Sequence, residues 1–203
     1  MSEGHHHARE KSPSELRTMA LEALLVERGL ISTDAVDAVV EQFQNEIGPR
    51  RGARMVARAW VDPAYRERLL GDGTAAEMGY GGAEGERLVC VANTPDTHNA
   101  IVCTLCSCYP WPVLGVPPVW YKSPPYRARM VREPRAVLRE FGLELPETTA
   151  IRIWDSSAEV RYIVLPMRPD GTGHLDEEGL ADLVTRDCMI GVAVPGVTEG
   201  VAA

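Results

Sequence analysis

No apolar run in this chain reaches the roughly 18–20 residues that a membrane span requires, so a membrane-embedded role is set aside. Basic residues are in short supply. The chain carries 21 Lys and Arg against 29 Asp and Glu, a formal charge of −8, which argues against nucleic acid as a partner. The N-terminus, Met1-Ser2-Glu3-Gly4-His5, lacks the basic-then-apolar order of a secretory leader, and a cytoplasmic protein is expected. Internal repeats and low-complexity tracts are absent. Glycines crowd between Gly71 and Gly85, yet no GxGxxG follows a strand there, so no nucleotide site is assigned. His5, His6 and His7 sit in a polar terminus and are given no role.

What the chain does have is enough apolar character, 45%, for a buried core over 203 residues. It also has five cysteines, an odd number, of which Cys103, Cys106 and Cys108 fall within six residues. A disulfide framework spreads its cysteines along the chain, whereas crowded thiols in a reducing compartment point to metal or redox chemistry. Cys90 and Cys188 stand alone in apolar surroundings and read as small buried hydrophobes.

Ser12-Pro13-Ser14-Glu15 reads as a capped helix start, with Leu16, Met19, Ala20, Ala23 and Leu24 at helical spacing up to Gly29. A second helix follows Thr33, with Val36, Val39, Val40, Phe43 and Ile47 on one face and Gly48-Pro49 as its stop. Residues 1–50 are therefore expected to form a helical arm whose apolar faces suit a partner chain or the domain itself, with residues 51–203 as the main domain. Helix is expected over 52–70, broken at Asp62-Pro63, then loop to Gly85. Residues 87–93 and 98–103 are strand-like around a turn at Thr94-Pro95-Asp96. Prolines forbid long regular structure over 109–126, and one or two helices occupy 126–141. Residues 151–154 and 161–165 look like strands paired around the turn Asp155-Ser156-Ser157-Ala158, and 176–188 like a last helix. The fold class expected is α+β.

The chemistry lies in Cys103-Thr104-Leu105-Cys106-Ser107-Cys108. Zinc ribbons need two ligand pairs and iron–sulfur clusters four thiolates; neither fits three thiols on one short loop. Cys106 and Cys108 are one residue apart, so an ion bound to both lies against the intervening peptides. The Ser107 and Cys108 nitrogens can then complete a square, with Cys103 on the axis and one position open for water or substrate. Deprotonating a peptide nitrogen calls for a strong Lewis acid such as a trivalent ion.

This segment resembles the metal-binding motif of nitrile hydratase α subunits, and the likeness extends along nearly the whole chain. It includes Tyr109-Pro110-Trp111-Pro112, Trp120-Tyr121-Lys122, Tyr126-Arg127, Val131-Arg132-Glu133-Pro134-Arg135 and Trp154-Asp155-Ser156-Ser157-Ala158-Glu159-Val160-Arg161. Asn45-Glu46-Ile47-Gly48-Pro49 and Ala59-Trp60-Val61-Asp62-Pro63 agree as well. The resemblance implies an α-β-β-α sandwich holding one Co(3+) per chain, with Fe(3+) as the alternative, on Cys103, Cys106, Ser107 and Cys108. It implies a Cys106 sulfinate and a Cys108 sulfenate. Thr104 and Tyr109 look like the cobalt form; His98-Asn99 and Asp187-Cys188 look more like the iron form. The implied reaction is hydration of small nitriles to amides, with hydroxide or the Cys108 sulfenate oxygen attacking. The implied partner is a β-type subunit, in an αβ heterodimer or α2β2, loaded by a metallation chaperone.

Outside the cluster, Trp111 is a candidate pocket wall or a packing aromatic. Asp155 and Glu159 read either as a solvated hairpin tip or, by the resemblance, as supports of the site. The run Arg127, Arg129, Arg132, Arg135 and Arg139 reads as a solvated or salt-bridged face. His98 reads as a strand-start residue rather than a ligand. Two rivals remain: a thiocyanate hydrolase-type subunit, against which Trp111 counts, and a non-catalytic three-thiol zinc module. Because residues 88–126 hold no arginine and only Lys122 as a basic group, donors to the oxidised sulfurs are expected from a distant part of the chain or from the partner.

Overall fold

The computed structural model describes residues 12–42, 48–73 and 86–196. The chain divides into two compact units, Met1–Glu41 and Gln42–Ala203. In the first, α1 (Pro13–Glu27) starts on the expected capping box: Ser12 Oγ accepts from Glu15 N at 3.2 Å and Ser12 N donates to Glu15 Oε2 at 2.6 Å. Gly29 takes a φ of 66° just past its end, the left-handed turn that lets the chain reverse into α2 (Thr33–Glu41). Neither helix buries a residue, and Leu16, Met19, Leu24, Val39 and Val40 stay exposed. Phe43, Ile47 and the loop over 74–85 lie outside the described residues.

The second unit begins with α3 (Pro49–Val61) and α4 (Pro63–Gly71). Asp62 ends the first and caps the second, its carboxylate accepting from Tyr65 N at 2.9 Å. Four strands follow in two parallel pairs, β1 (Arg87–Ala92) with β4 (Val160–Leu165) and β2 (Thr97–Val102) with β3 (Ala150–Asp155). Five of the six β2 residues are buried, and apolar runs such as Tyr162–Leu165 suit parallel strands covered on both faces. Between β2 and β3 come two single turns, α5 (Trp111–Leu114) and α6 (Val119–Lys122), then α7 (Pro124–Arg132) and α8 (Pro134–Glu140). α9 (Glu177–Asp182) and α10 (Arg186–Ile190) close the chain. Helix α4 packs on β1, α10 on β4 and α8 on β3, while β2 touches β4 between the sheets. That layering is the α+β sandwich expected.

Two local expectations need correction. Residues 151–154 and 161–165 do not pair with each other. The turn after Asp155 is short enough for a hairpin but instead carries the chain from one sheet to the other, as the Thr94–Asp96 link also does. Those two steps produce two parallel pairs rather than two hairpins. The final helix is also two helices, because Thr185 Oγ1 accepts from Cys188 N at 3.3 Å and starts a new one.

Gly191 ends α10 at a φ of 90°, and a Cβ there would lie 2.2 Å from Asn99 O. Its own carbonyl accepts from His98 Nε2 at 2.8 Å, while Asn93 Nδ2 lies 3.3 Å from His98 Nδ1. The histidine is thus a structural tie, and burial holds its pKa below the ordinary value. Gly191→Ala is expected to cost about 3 kcal/mol or more, through left-handed strain plus a backbone clash. A thermal melt checks this: Tm should fall by several degrees, and an unchanged Tm would show that α10 does not need the close approach.

Candidate metal centre

The last ladder pair of β2 and β3 sets Val102 opposite Asp155, and Ser156 N donates to Val102 O at 2.7 Å. Both strands end here on the same side, so the segment leaving β2, Cys103 to Cys108, emerges beside the Asp155 carboxylate. Carboxyl ends of parallel strands are where such folds present ligand-binding loops. Asp155 accepts from Thr104 N at 2.9 Å and from Thr104 Oγ1 at 2.5 Å, clamping the first residue past Cys103. It is therefore no hairpin tip. Glu159 stays with its own turn, accepting from Ser157 Oγ at 2.9 Å, and that bond lowers its pKa.

The other anchors are aromatic and basic. Tyr121 Oη donates to Cys108 O at 3.0 Å and Tyr126 Oη to Ile101 O at 2.8 Å. Their rings belong to an edge-to-face group with Tyr109, Trp120 and Phe141; Trp120 and Tyr126 centroids are 4.9 Å apart. Arg127, from α7, donates Nη1 to Cys106 O at 2.9 Å and to Thr104 O at 3.5 Å.

Held this way, the three sulfurs converge. Cys106 Sγ lies 3.1 Å from Cys108 Sγ and 3.5 Å from Cys103 Sγ, and all three fall within 4.8 Å of one another. Among the described residues they are the one group of three or more Cys, His, Asp or Glu with metal-ligand spacing. Cys103 is buried, Cys108 half-buried and Cys106 exposed. The Cys106 amide donates to Cys103 Sγ at 3.3 Å. Three soft sulfur donors at one point fit a thiophilic transition-metal ion. Cys90 and Cys188 are buried elsewhere in the core, as expected.

The metal-free thiols differ sharply. The Cys108 S–H bond, followed by the Ser107 amide, brings Cys106 down to about 7. Burial, followed by its bond to Cys106, pushes Cys108 up to about 12. As pH rises through about 7, Cys106 becomes a thiolate, so iodoacetamide should label the exposed Cys106 well before the buried Cys103, Cys90 and Cys188. Peptide mapping of the metal-free chain reads the order; equal labelling of Cys103 and Cys106 would contradict this geometry.

Several sequence-level assignments resolve here. Trp111 opens α5, is 42% exposed, and has Lys122 Nζ 5.7 Å from its ring centroid. Within the basic run, Arg129 pairs with Glu133 and Glu140, and Arg135 and Arg139 with Glu147, as a salt-bridged surface should. Arg127 turns to the loop instead. Arg161 is largely buried, donates to Ser157 O, and its charge favours a Cys108 thiolate. Both arginines, with Tyr121 and Tyr126, lie in segments that carry the family resemblance, but their roles at the loop were not legible, since one arginine sits in a charge run and the other within a strand.

The family model described as "Nitrile hydratase, alpha chain" matches residues 12–193. The chain is 62% identical over 181 residues to the low-molecular weight cobalt-containing nitrile hydratase subunit alpha of Rhodococcus rhodochrous, covering 88% of this chain and 87% of the relative. It is 45% identical to thiocyanate hydrolase subunit gamma of Thiobacillus thioparus, covering 93% of this chain and 84% of that one. The fold superimposes on a histidine double mutant of the Fe-type nitrile hydratase from Comamonas testosteroni Ni1 with a TM-score of 0.81 at 40% identity, over 96% of this chain and all of that one.

Proposed function

The chain belongs to the nitrile hydratase α-chain family, and on that premise we propose that it is the metal-carrying α subunit of a cobalt nitrile hydratase, converting nitriles and water to amides. The observation that carries this reading is the convergence of the Cys103, Cys106 and Cys108 sulfurs within one loop. The sulfurs of Cys103, Cys106 and Cys108 and the Ser107 and Cys108 nitrogens hold one ion per chain, with Cys106 as sulfinate and Cys108 as sulfenate. When bound, trivalent cobalt supplies Lewis acidity, which lets water chemistry proceed at neutral pH. Iron is the alternative ion, as in the Fe-type structural neighbour.

The chain's own residues prepare the site. Asp155 fixes Thr104 and so the angle at which the loop leaves β2. Tyr121 fixes the Cys108 carbonyl and with it the orientation of the reactive sulfur. The oxygen delivered to the nitrile carbon comes from water, directly or by way of the Cys108 sulfenate. Trp111 forms one wall against the organic part of the nitrile. A β-type subunit completes the pocket in an αβ or α2β2 assembly, and the free thiols and lack of a disulfide suit the cytoplasm.

The test is turnover by the protein co-expressed with its β-type partner in cobalt medium, offered acetonitrile and thiocyanate in parallel. Acetamide formation supports the reading. Consumption of thiocyanate alone would move the chain to the thiocyanate hydrolase branch.

A further inference from the structure

Arg127 is the member of its arginine-rich stretch that hydrogen-bonds the cysteine loop. Arg129, Arg135 and Arg139 each take a glutamate, whereas Arg127 has no carboxylate partner among the described residues. Its hydrogen bonds go to two backbone carbonyls of the cysteine loop, Cys106 O at 2.9 Å and Thr104 O at 3.5 Å, and its Nε is buried without a hydrogen-bond partner. A guanidinium keeps its charge at any pH a protein survives. A fixed positive charge thus lies against the loop with no carboxylate paired to it among the described residues.

Cys106 O and Ser107 N are the two ends of one conjugated peptide group. When the Ser107 nitrogen bonds to an ion it gives its proton to water, and the negative charge left behind is shared across the peptide with Cys106 O. A hydrogen bond from a cation to an oxygen bearing charge is shorter and roughly twice as strong as one between neutral groups. We propose that Arg127 is a positioning residue of the metal centre, whose guanidinium stabilises the charged Cys106–Ser107 peptide and thereby favours the loaded loop. The inference rests on the reading that the Ser107 nitrogen is a ligand. It also accounts for part of a charge problem: five anionic donors on a trivalent ion leave about −2, and burial of that charge without compensation is costly. Arg127 answers one of those charges through the peptide oxygen, leaving the sulfurs free to face elsewhere.

The experiment uses the co-expressed complex with Arg127→Gln, Arg127→Lys and, as a control on the same helix, Arg132→Gln. Cobalt per chain at limiting metal supply and the sulfur-to-metal charge-transfer band are read on each, with X-ray absorption to count nitrogen ligands. Arg127→Gln should load about tenfold less cobalt, the equivalent of losing one charge-assisted hydrogen bond, and its band should shift. Arg127→Lys keeps the charge and should recover part of both, while Arg132→Gln should match the unaltered protein. Normal loading and an unshifted band in Arg127→Gln, with two nitrogen ligands still present, would overturn the role of Arg127 and leave the ligand reading intact. An unaltered protein without nitrogen ligands at the ion would instead overturn the ligand reading, and the role of Arg127 with it.

Discussion

Cys106→Ser and Cys108→Ser are each expected to reduce nitrile hydration to the level of the assay blank, a loss of about a thousandfold or more, together with most of the bound metal. The cause is the chemistry of the donor. A serine hydroxyl does not ionise near neutral pH and offers a hard oxygen, whereas a thiolate is soft, anionic and open to oxidation. Cys106 Sγ sits between the other two sulfurs, 3.1 and 3.5 Å away, so its loss removes the middle of the donor set. Ser107→Ala should keep both metal and activity, because the atom that counts there is the backbone nitrogen. Elemental analysis and an amide assay on the three variants decide the matter. A Ser107→Ala protein unable to bind cobalt would show that the hydroxyl is a ligand.

The second large effect is dependence on another chain. Purified alone, this chain should hydrate nitriles about a hundredfold more slowly than the complex, or not at all, since each missing donor to a charged reacting group typically costs that much. Arg127 gives its Nη1 to peptide oxygens of the loop and Arg161 gives its Nη1 to Ser157 O, so neither of these bonds goes to a cysteine sulfur. The loop itself is partly open: Leu105 is 88% exposed and Cys106 is exposed, and Trp111, shortly after the loop in sequence, is exposed as well. A partner presenting arginines would supply the donors and complete the pocket wall. Mixing the separately purified chains should restore the rate; an isolated monomer already turning over at the rate of the complex would refute the dependence.

The cysteine cluster was legible in the sequence because three thiols within six residues are held close together by their spacing alone. The helix starts at Ser12 and Asp62 were legible for a similar reason, since capping is a local code. Strand pairing was not, because the hydrogen-bonding neighbour of a buried strand is chosen by long-range packing. The turn at Asp155–Ser157 carries no mark saying that it crosses between sheets. Among the supports of the site, Asp155 was offered by the family resemblance, whereas the roles of Tyr121 and Arg127 were not legible, because both reach the loop from separate elements and periodicity alone does not distinguish Arg127 from Arg129.

The most direct test of the central claim is the composition of the loop itself in the co-expressed, oxygen-exposed protein, by elemental analysis and mass spectrometry of the peptide containing Cys103, Cys106 and Cys108. The account predicts about one cobalt per chain, two added oxygen atoms on Cys106 and one on Cys108, with the sulfinate as the more durable marker. Zinc in place of cobalt, with all three thiols unmodified in fully active protein, would contradict it.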